Sequence, residues 1–361
     1  MKDLNKSNFA VLMAGGVGSR FWPVSTAQKP KQFRDLLGTG ETLIQTTFKR
    51  LSTLVPEENI YILTNQGYNG LVKEQLPQVH QEQIVLEPEM RNTAPAVLLA
   101  ALKIQKKDPD AVMVMAPSDH WIEDEKAFSA DIKNAFEFCR NEDRIVTLGI
   151  KPTFPNTGYG YIEFSGEKKV RPVKKFTEKP SFEKARDFLK QGNYLWNAGI
   201  FIWNVDFITR SFQKNLPEDF ELFNSGSADL NTTRESFFIK DTYHKATNIS
   251  IDYAIIEKEE ETVFVIPAGF DWNDLGTWGS IYTESEKDGE NNAVLNARIM
   301  AENSTGNIIT SASNKVIVVD GLSDYIVVDE KEVLLIVPKE KEQEIKEIRT
   351  RVQEKFGEHL G

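Results

Sequence analysis

The sequence of 361 residues holds a single cysteine, Cys139. One thiol excludes an internal disulfide framework and fits a reducing compartment; Cys139 itself reads as a small apolar residue on a helix. Basic charge is also short, with 43 Lys and Arg against 54 Asp and Glu and a net charge of −11. That balance excludes a general nucleic-acid binder, which carries a basic face. No long hydrophobic run opens the chain: the apolar stretch within MKDLNKSNFAVLMAGG follows charged residues and is too short for a signal h-region or a membrane span. No membrane association is expected, and the expected location is cytoplasmic. One further absence is local. No acidic residue occurs from Leu4 to Arg34, while Lys6, Arg20, Lys29, Lys31 and Arg34 all fall there. In an acidic chain this stretch is either a solvated basic face or the place where an anion is received.

What is present is ordinary for a globular protein, with 40% apolar and 27% charged residues. The length implies two or three compact units with a full core in the largest. Short apolar runs at Phe9 to Met13, Ile60 to Thr64, Ile84 to Leu86, Ala111 to Ala116 and Ile145 to Leu148 alternate with helical spacing at Thr42 to Leu54, Gly67 to Leu76, Thr93 to Lys107 and Lys126 to Cys139. This predicts an α/β, Rossmann-like fold with a mostly parallel sheet and helices on both faces, whose ligands bind beyond the carboxyl ends of the strands. A second block, Thr157 to Trp278, mixes strands and helices without an intervening linker, so residues 1–290 read as one domain. From about Asn292 five short strands at regular intervals predict a small all-β unit over residues 291–361, with a short β-helix as one form it can take. A charged helix after Pro338 closes the chain, with Ile345, Ile348 and Val352 on one face.

After the first strand comes AGGVGSRFWPVSTAQKPKQ, from Ala14 to Gln32. Gly15, Gly16 and Gly18 permit positive φ and let a phosphate approach backbone N–H groups, with Arg20, Lys29 and Lys31 as nearby cations. The loop lacks the Gly-Lys-Ser/Thr ending of a Walker A motif and the third helix-opening glycine of a dinucleotide fingerprint. Asp119 follows the strand AVMVMAP, and Asp274 lies in a Trp-rich turn; taken singly, Asp119 reads as a helix N-cap and Asp274 as a turn or cap residue, although two converging aspartates would also suffice for magnesium. Arg91-Asn92-Thr93-Ala94-Pro95 either initiates a helix or offers N–H groups and a cation to a nucleotide. Glu178 and Asn197 suit sugar hydroxyls and Lys179 suits a phosphate, although Glu178-Lys179-Pro180 is equally an ordinary turn. Trp196, Phe201 and Trp203 are expected in the core.

Gly15-Gly16-Val17-Gly18-Ser19-Arg20-Phe21-Trp22-Pro23 followed by Pro30-Lys31-Gln32 resembles the signature of the nucleotide-sugar pyrophosphorylases. EPEMRNTAPA, APSDHWI, GYGYIE, FTEKP, WNAGIFIW, SIDYAIIEK and DWNDLGTW resemble, in order, blocks of its guanylyltransferase branch. The resemblance implies a sugar-1-phosphate nucleotidyltransferase that uses GTP and mannose 1-phosphate with Mg2+. It implies catalytic roles for Arg20 and Lys31 and nucleotide contacts at Ala14, Gly15, Gly16, Gly18, Arg91 and Asn92. It further implies sugar-phosphate contacts at Gly160, Tyr161, Glu178, Lys179 and Asn197, and metal ligation by Asp119 and Asp274. Another hexose or heptose 1-phosphate as acceptor, or a degenerate regulatory or scaffold relative, are the alternatives, and a homo-oligomer is compatible with the sequence. His120 is expected to be structural, because a sugar 1-phosphate is already largely a dianion and needs no base. The tail holds no His cluster that would add an isomerase site. The β unit carries none of these positions, so a chain ended before Asn292 is expected to be less stable or differently assembled, yet to retain measurable transferase activity if it folds.

Overall fold

The computed structural model describes residues 4–313 and 315–361. The first three residues, part of the N-terminal stretch read above, lie outside the described residues. Packing divides the chain into two units that are interleaved in sequence, whereas the sequence reading draws one boundary at residue 290. One unit comprises Met1–Gly15, Phe48–Pro117 and Ile122–Trp272; the other comprises Gly16–Thr47, Ser118–Trp121 and Asn273–Gly361.

The first unit is built on a nine-stranded sheet. Its strands are β1 (Asn8–Met13), β2 (Ile60–Asn65), β3 (Ile84–Glu87), β4 (Val112–Pro117), β5 (Ile145–Ile150), β6 (Tyr161–Phe164), β7 (Arg171–Thr177), β8 (Tyr194–Asn204) and β9 (Val263–Pro267). They run in the order β3-β2-β1-β4-β8-β5-β9-β7-β6, with β6 also pairing β8. The expected parallel pairing holds from β3 to β4 and between β5 and β9. Elsewhere the sheet is mixed. β8 lies antiparallel to both β4 and β5, and β6 and β7 form a hairpin. A hairpin needs no crossover helix, so this half carries no alternating signal for parallel strands. Helix Thr93–Lys107 is buried along nearly its whole length, from Ala94 to Ile104, and lies at the centre of the larger core. Three helices, Val205–Asn215, Pro217–Asn224 and Glu235–Thr242, were not anticipated. No helix among the described residues is long and apolar enough to cross a membrane.

In the second unit the C-terminal strands are β10 (Ala293–Leu295), β11 (Arg298–Glu302), β12 (Ile308–Ser311), β13 (Val316–Asp320), β14 (Tyr325–Asp329) and β15 (Leu334–Pro338). β10, β12 and β14 stack as one parallel ladder, and β11 and β13 as another. Successive coils thus alternate between two sheets, which is a short β-helix. β15 then turns back to pair antiparallel with β14. The terminal helix Ile345–Phe356 buries Ile345 and lays Ile348 and Val352 on the apolar core of this unit. That core also contains Phe21, Trp22, Leu36 and Leu43 from the glycine-rich segment.

Candidate active site

Within the second unit the glycine-rich loop is shaped around Lys31. Gly18 has φ +70°, and a Cβ added there would stand 2.4 Å from Lys31 Cβ. Only glycine allows both the left-handed backbone and the close crossing. The Lys31 N–H donates to the Val17 carbonyl at 3.3 Å, and the Ser25 hydroxyl donates to the same oxygen. Lys31 is consequently only 4% exposed. Its Nζ lies 5.8 Å from the centre of the Phe21 ring and donates to Asp119 Oδ2 at 3.0 Å and to the Asp274 carbonyl at 2.6 Å. Arg20 and Gly16, on the same loop, are exposed.

Two segments far apart in sequence meet in this cluster because Trp121 and Asn273 form an isolated antiparallel bridge, with N–H to carbonyl distances of 2.8 and 3.0 Å. The bridge lies two residues beyond Asp119 and one before Asp274. The turn after it is tight: Leu275 has φ +44°, Asn273 Oδ1 accepts from the Leu275 N–H at 2.8 Å and Asp274 Oδ1 from the Gly276 N–H at 3.1 Å. A Cβ at Gly276 would lie 2.7 Å from Asp274 Oδ2, so glycine leaves that carboxylate its place. Burial alone would push the Asp119 carboxyl up, but the Lys31 ammonium and then His120 outweigh it and hold Asp119 below the usual carboxylate range. The donor set is oxygen throughout, which fits a small hard cation, and the Lys31 ammonium already lies against the Asp119 carboxylate and the Asp274 backbone carbonyl. Among the described residues no group of three or more His, Cys, Asp or Glu could hold a metal. A cation on Asp119 and Asp274 would complete its shell from phosphate and water, as magnesium does.

Within the first unit Gly160, Glu178, Lys179 and Asn197 come together. The Asn197 N–H donates to the Gly160 carbonyl at 2.8 Å, and a Cβ on Gly160 would lie 2.6 Å from Glu178 Oε2. Glu178 Oε1 pairs with Lys179 Nζ at 2.7 Å, and that hydrogen bond raises the lysine's pKa. Lys179 has φ +42°, a left-handed backbone at a non-glycine residue. The Asn197 amide oxygen accepts from the Gly199 N–H at 3.0 Å and from the Thr147 hydroxyl at 3.3 Å, while its Nδ2 donates to Asp252 Oδ1 at 3.3 Å. Asp252 was not singled out from the sequence. Burial first, and the Glu178 charge second, push its carboxyl up to about 6. Its signal was an acid set within the otherwise apolar run of SIDYAII, in the first turn of a helix capped by Ser250. The Tyr161 ring is fully buried with its centre 5.3 Å from that of Phe188, so only the Tyr161 backbone is left to serve a ligand.

Ala14 and Gly15 follow β1 in the same unit. The Ala14 N–H donates to the Leu63 carbonyl and the Thr64 hydroxyl to the Ala14 carbonyl, both at 2.8 Å. A Cβ on Gly15 would lie 3.7 Å from Glu87 Oε2. Glu87, also not singled out, accepts from the buried Tyr243 hydroxyl; burial pushes its carboxyl up and that hydrogen bond opposes the rise. Arg91 donates to Glu89 Oε1 at 3.0 and 2.8 Å and to the carbonyls of Ala246 and His244, so its guanidinium clamps one loop of this unit. Asn92, at φ +55°, precedes helix Thr93–Lys107 and donates to Asn248 Oδ1 at 2.6 Å.

The nucleotidyl transferase family model matches residues 9–291, and a mannose-phosphate isomerase/GMP-like β-helix domain model matches residues 300–352. The chain belongs to the nucleotidyl transferase family, which bears out the resemblance drawn from the glycine-rich loop and the blocks that follow it. It is similar to mannose-1-phosphate guanylyltransferase RfbM of Salmonella typhimurium, 36% identical over 346 residues, covering 94% of this chain and 71% of that protein. It is likewise similar to the xanthan biosynthesis protein XanB of Xanthomonas campestris pv. campestris, 33% identical over 349 residues, covering 95% and 73%. A solved structure described as mannose-1-phosphate geranyltransferase from Thermus thermophilus superposes with a TM-score of 0.85 at 29% identity, covering 96% of this chain and 99% of that one.

Proposed function

We propose that the chain transfers GMP from GTP to mannose 1-phosphate, giving GDP-mannose and pyrophosphate. The observation that carries this reading is the buried Lys31 ammonium held against Asp119 and Asp274 at the base of a glycine-rich loop. A phosphate oxygen of the sugar 1-phosphate attacks the α-phosphorus of GTP, and the bond from that phosphorus to the bridging oxygen breaks as pyrophosphate leaves. The attacking group is already an anion, so no side chain need remove a proton. The protein's task is alignment and neutralisation of charge.

Arg20 and Lys31 neutralise the triphosphate as negative charge moves onto the leaving group, and Ala14, Gly15, Gly16 and Gly18 cradle it through the backbone. Asp119 and Asp274 hold Mg2+, which when bound draws charge from the phosphate oxygens; enzymes of this family generally use divalent metal ions. Glu87 offers the acceptor that guanine's adjacent N–H donors require, with Arg91 and Asn92 fixing the segment that follows it. Glu178 and Asn197 orient the sugar hydroxyls, Lys179 takes the sugar phosphate, and Gly160 and Tyr161 contribute backbone. Asp252 orients Asn197. We assign the transferase chemistry to residues 1–290 and structural support to residues 291–361, in a cytoplasmic setting.

Pyrophosphate release measured over a matrix of nucleoside triphosphates and sugar 1-phosphates tests the assignment. The pair GTP and mannose 1-phosphate is expected to give the highest kcat/KM and to require Mg2+. A higher value with another hexose or heptose 1-phosphate would move the acceptor, and no turnover with any pair would favour a degenerate scaffold. Lys31→Ala removes one oriented charge at the reacting centre, worth about 3 kcal/mol or roughly a hundredfold in rate. It is expected to lower kcat far more than it raises the KM for sugar phosphate; a change confined to KM would show that the loop only binds.

A further inference from the structure

Glu87, the last residue of β3, has its two carboxylate oxygens in different situations. Oε1 accepts from the Tyr243 hydroxyl. No donor among the described residues serves Oε2, and that oxygen is the one beside Gly15. Tyr243 itself is fully buried. It opens the short turn Tyr243–Lys245 that follows helix Glu235–Thr242, and the Phe223 ring stands edge-on to it with centres 5.8 Å apart. The chain beyond Tyr243 is laced to the chain beyond Glu87. Besides the Arg91 and Asn92 contacts, the Ala94 N–H donates to the Ile249 carbonyl at 3.1 Å and the Ile251 N–H to Thr93 Oγ1 at 2.9 Å. Buried Asp219 accepts from the Thr247 N–H at 3.0 Å and from the Thr247 hydroxyl at 2.8 Å. A phenol held this firmly sets the direction of the group that accepts its hydrogen bond.

We infer that Tyr243 is a positioning residue for base selection: its hydroxyl orients the Glu87 carboxylate so that both oxygens are presented together to two adjacent N–H donors. The inference rests on the proposed use of GTP, in which Glu87 meets guanine. Guanine carries a ring N–H beside an exocyclic amine on one edge. A carboxylate accepts from both when it is ionised and lies in the plane of the base, and Oε1 keeps a lone pair for the tyrosine. Adenine has an acceptor where guanine has the ring N–H, and uracil and thymine flank a single N–H with two carbonyls. Each of these sets an acceptor against the carboxylate. A side chain free to rotate, or to take up a proton, loses this selectivity, because a neutral acid donates as well as accepts. The Tyr243 hydroxyl opposes both changes: it fixes one oxygen, and it favours the anion against the burial that raises the Glu87 pKa. A tyrosine with a purely structural role needs no acid as its partner, since a carbonyl or an amide satisfies a buried phenol without burying a charge.

Tyr243→Phe keeps the ring against Phe223 and removes only the hydroxyl. In pyrophosphate release by the full chain it is expected to raise the KM for GTP roughly tenfold, as the loss of one hydrogen bond to a charged group predicts. The kcat at saturating GTP and the KM for mannose 1-phosphate should stay near native. ITP, which lacks the exocyclic amine, separates orientation from stability: the ratio of kcat/KM for GTP to that for ITP should fall roughly fivefold in the variant. Glu87→Ala should lower the same ratio. Adding Tyr243→Phe to it should change the KM for GTP by less than about twofold, because the tyrosine then has nothing to orient. A native KM and ratio in Tyr243→Phe, a loss shared equally by GTP and ITP with a lowered thermal midpoint, or full additivity in the double variant would each overturn the inference and leave the use of GTP standing. A native chain that prefers another base, or an unchanged ratio in Glu87→Ala, would overturn the assignment of Glu87 and the inference with it.

Discussion

Asp119→Asn and Asp274→Asn are each expected to lower turnover on the order of a thousandfold, the several kcal/mol that a correctly placed metal supplies to charge developing on phosphate oxygens. The substitution keeps the shape of the side chain. In Asp274→Asn the amide oxygen still accepts from the Gly276 N–H, now at 3.1 Å from Oδ1, so the turn should form and the thermal midpoint should hold. Asp119→Asn differs, because it also removes the anion paired with buried Lys31 and leaves that ammonium neutral acceptors alone, the amide oxygen at position 119 and the Asp274 carbonyl. A partly unpaired buried charge costs stability, so this variant should melt lower than Asp274→Asn while losing similar activity. Titrating magnesium separates weakened metal binding from lost chemistry. Near-native turnover of either variant at saturating magnesium would refute metal ligation by that residue.

Ending the chain before Asn292 is expected to abolish activity, contrary to the expectation raised from the sequence. Phe21, Trp22, Leu36 and Leu43 share one core with Leu295, Ile308, Val328 and Leu335. Each fully buried large apolar side chain contributes about 1.5–3 kcal/mol. Stripping several partners from such a core removes an amount comparable to the roughly 5–15 kcal/mol that typically holds a domain together. The segment affected carries Gly18, Arg20 and Lys31, and within that unit it also positions Asp119 and Asp274. The truncated chain should therefore be inactive even where the nine-stranded sheet survives, which circular dichroism and a pyrophosphate-release assay would report together. A soluble truncation with native turnover would show that the glycine-rich loop folds without the β-helix.

Residue type and placement contribute separately to these sites. Lys31 is by type an ordinary surface residue until Gly18 lets it cross beneath the loop, and Glu87 is one acid among many until Gly15 lies against it.

Local signals were legible in the sequence by itself. Helix Thr93–Lys107 begins and ends where its periodicity begins and ends, because a long apolar stripe is written in adjacent residues. The strands of the parallel half, the glycine-rich loop and the family blocks were readable for the same reason. What only the tertiary structure decided is pairing over long separations. The antiparallel insertion of β8 between β4 and β5, the bridge that ties Trp121 to Asn273, the Asn197 to Asp252 contact and the core that joins residues 21–43 to the β-helix all join segments distant in sequence. No local propensity records such contacts, since each is selected by the burial and hydrogen bonding of the whole unit rather than by its neighbours along the chain.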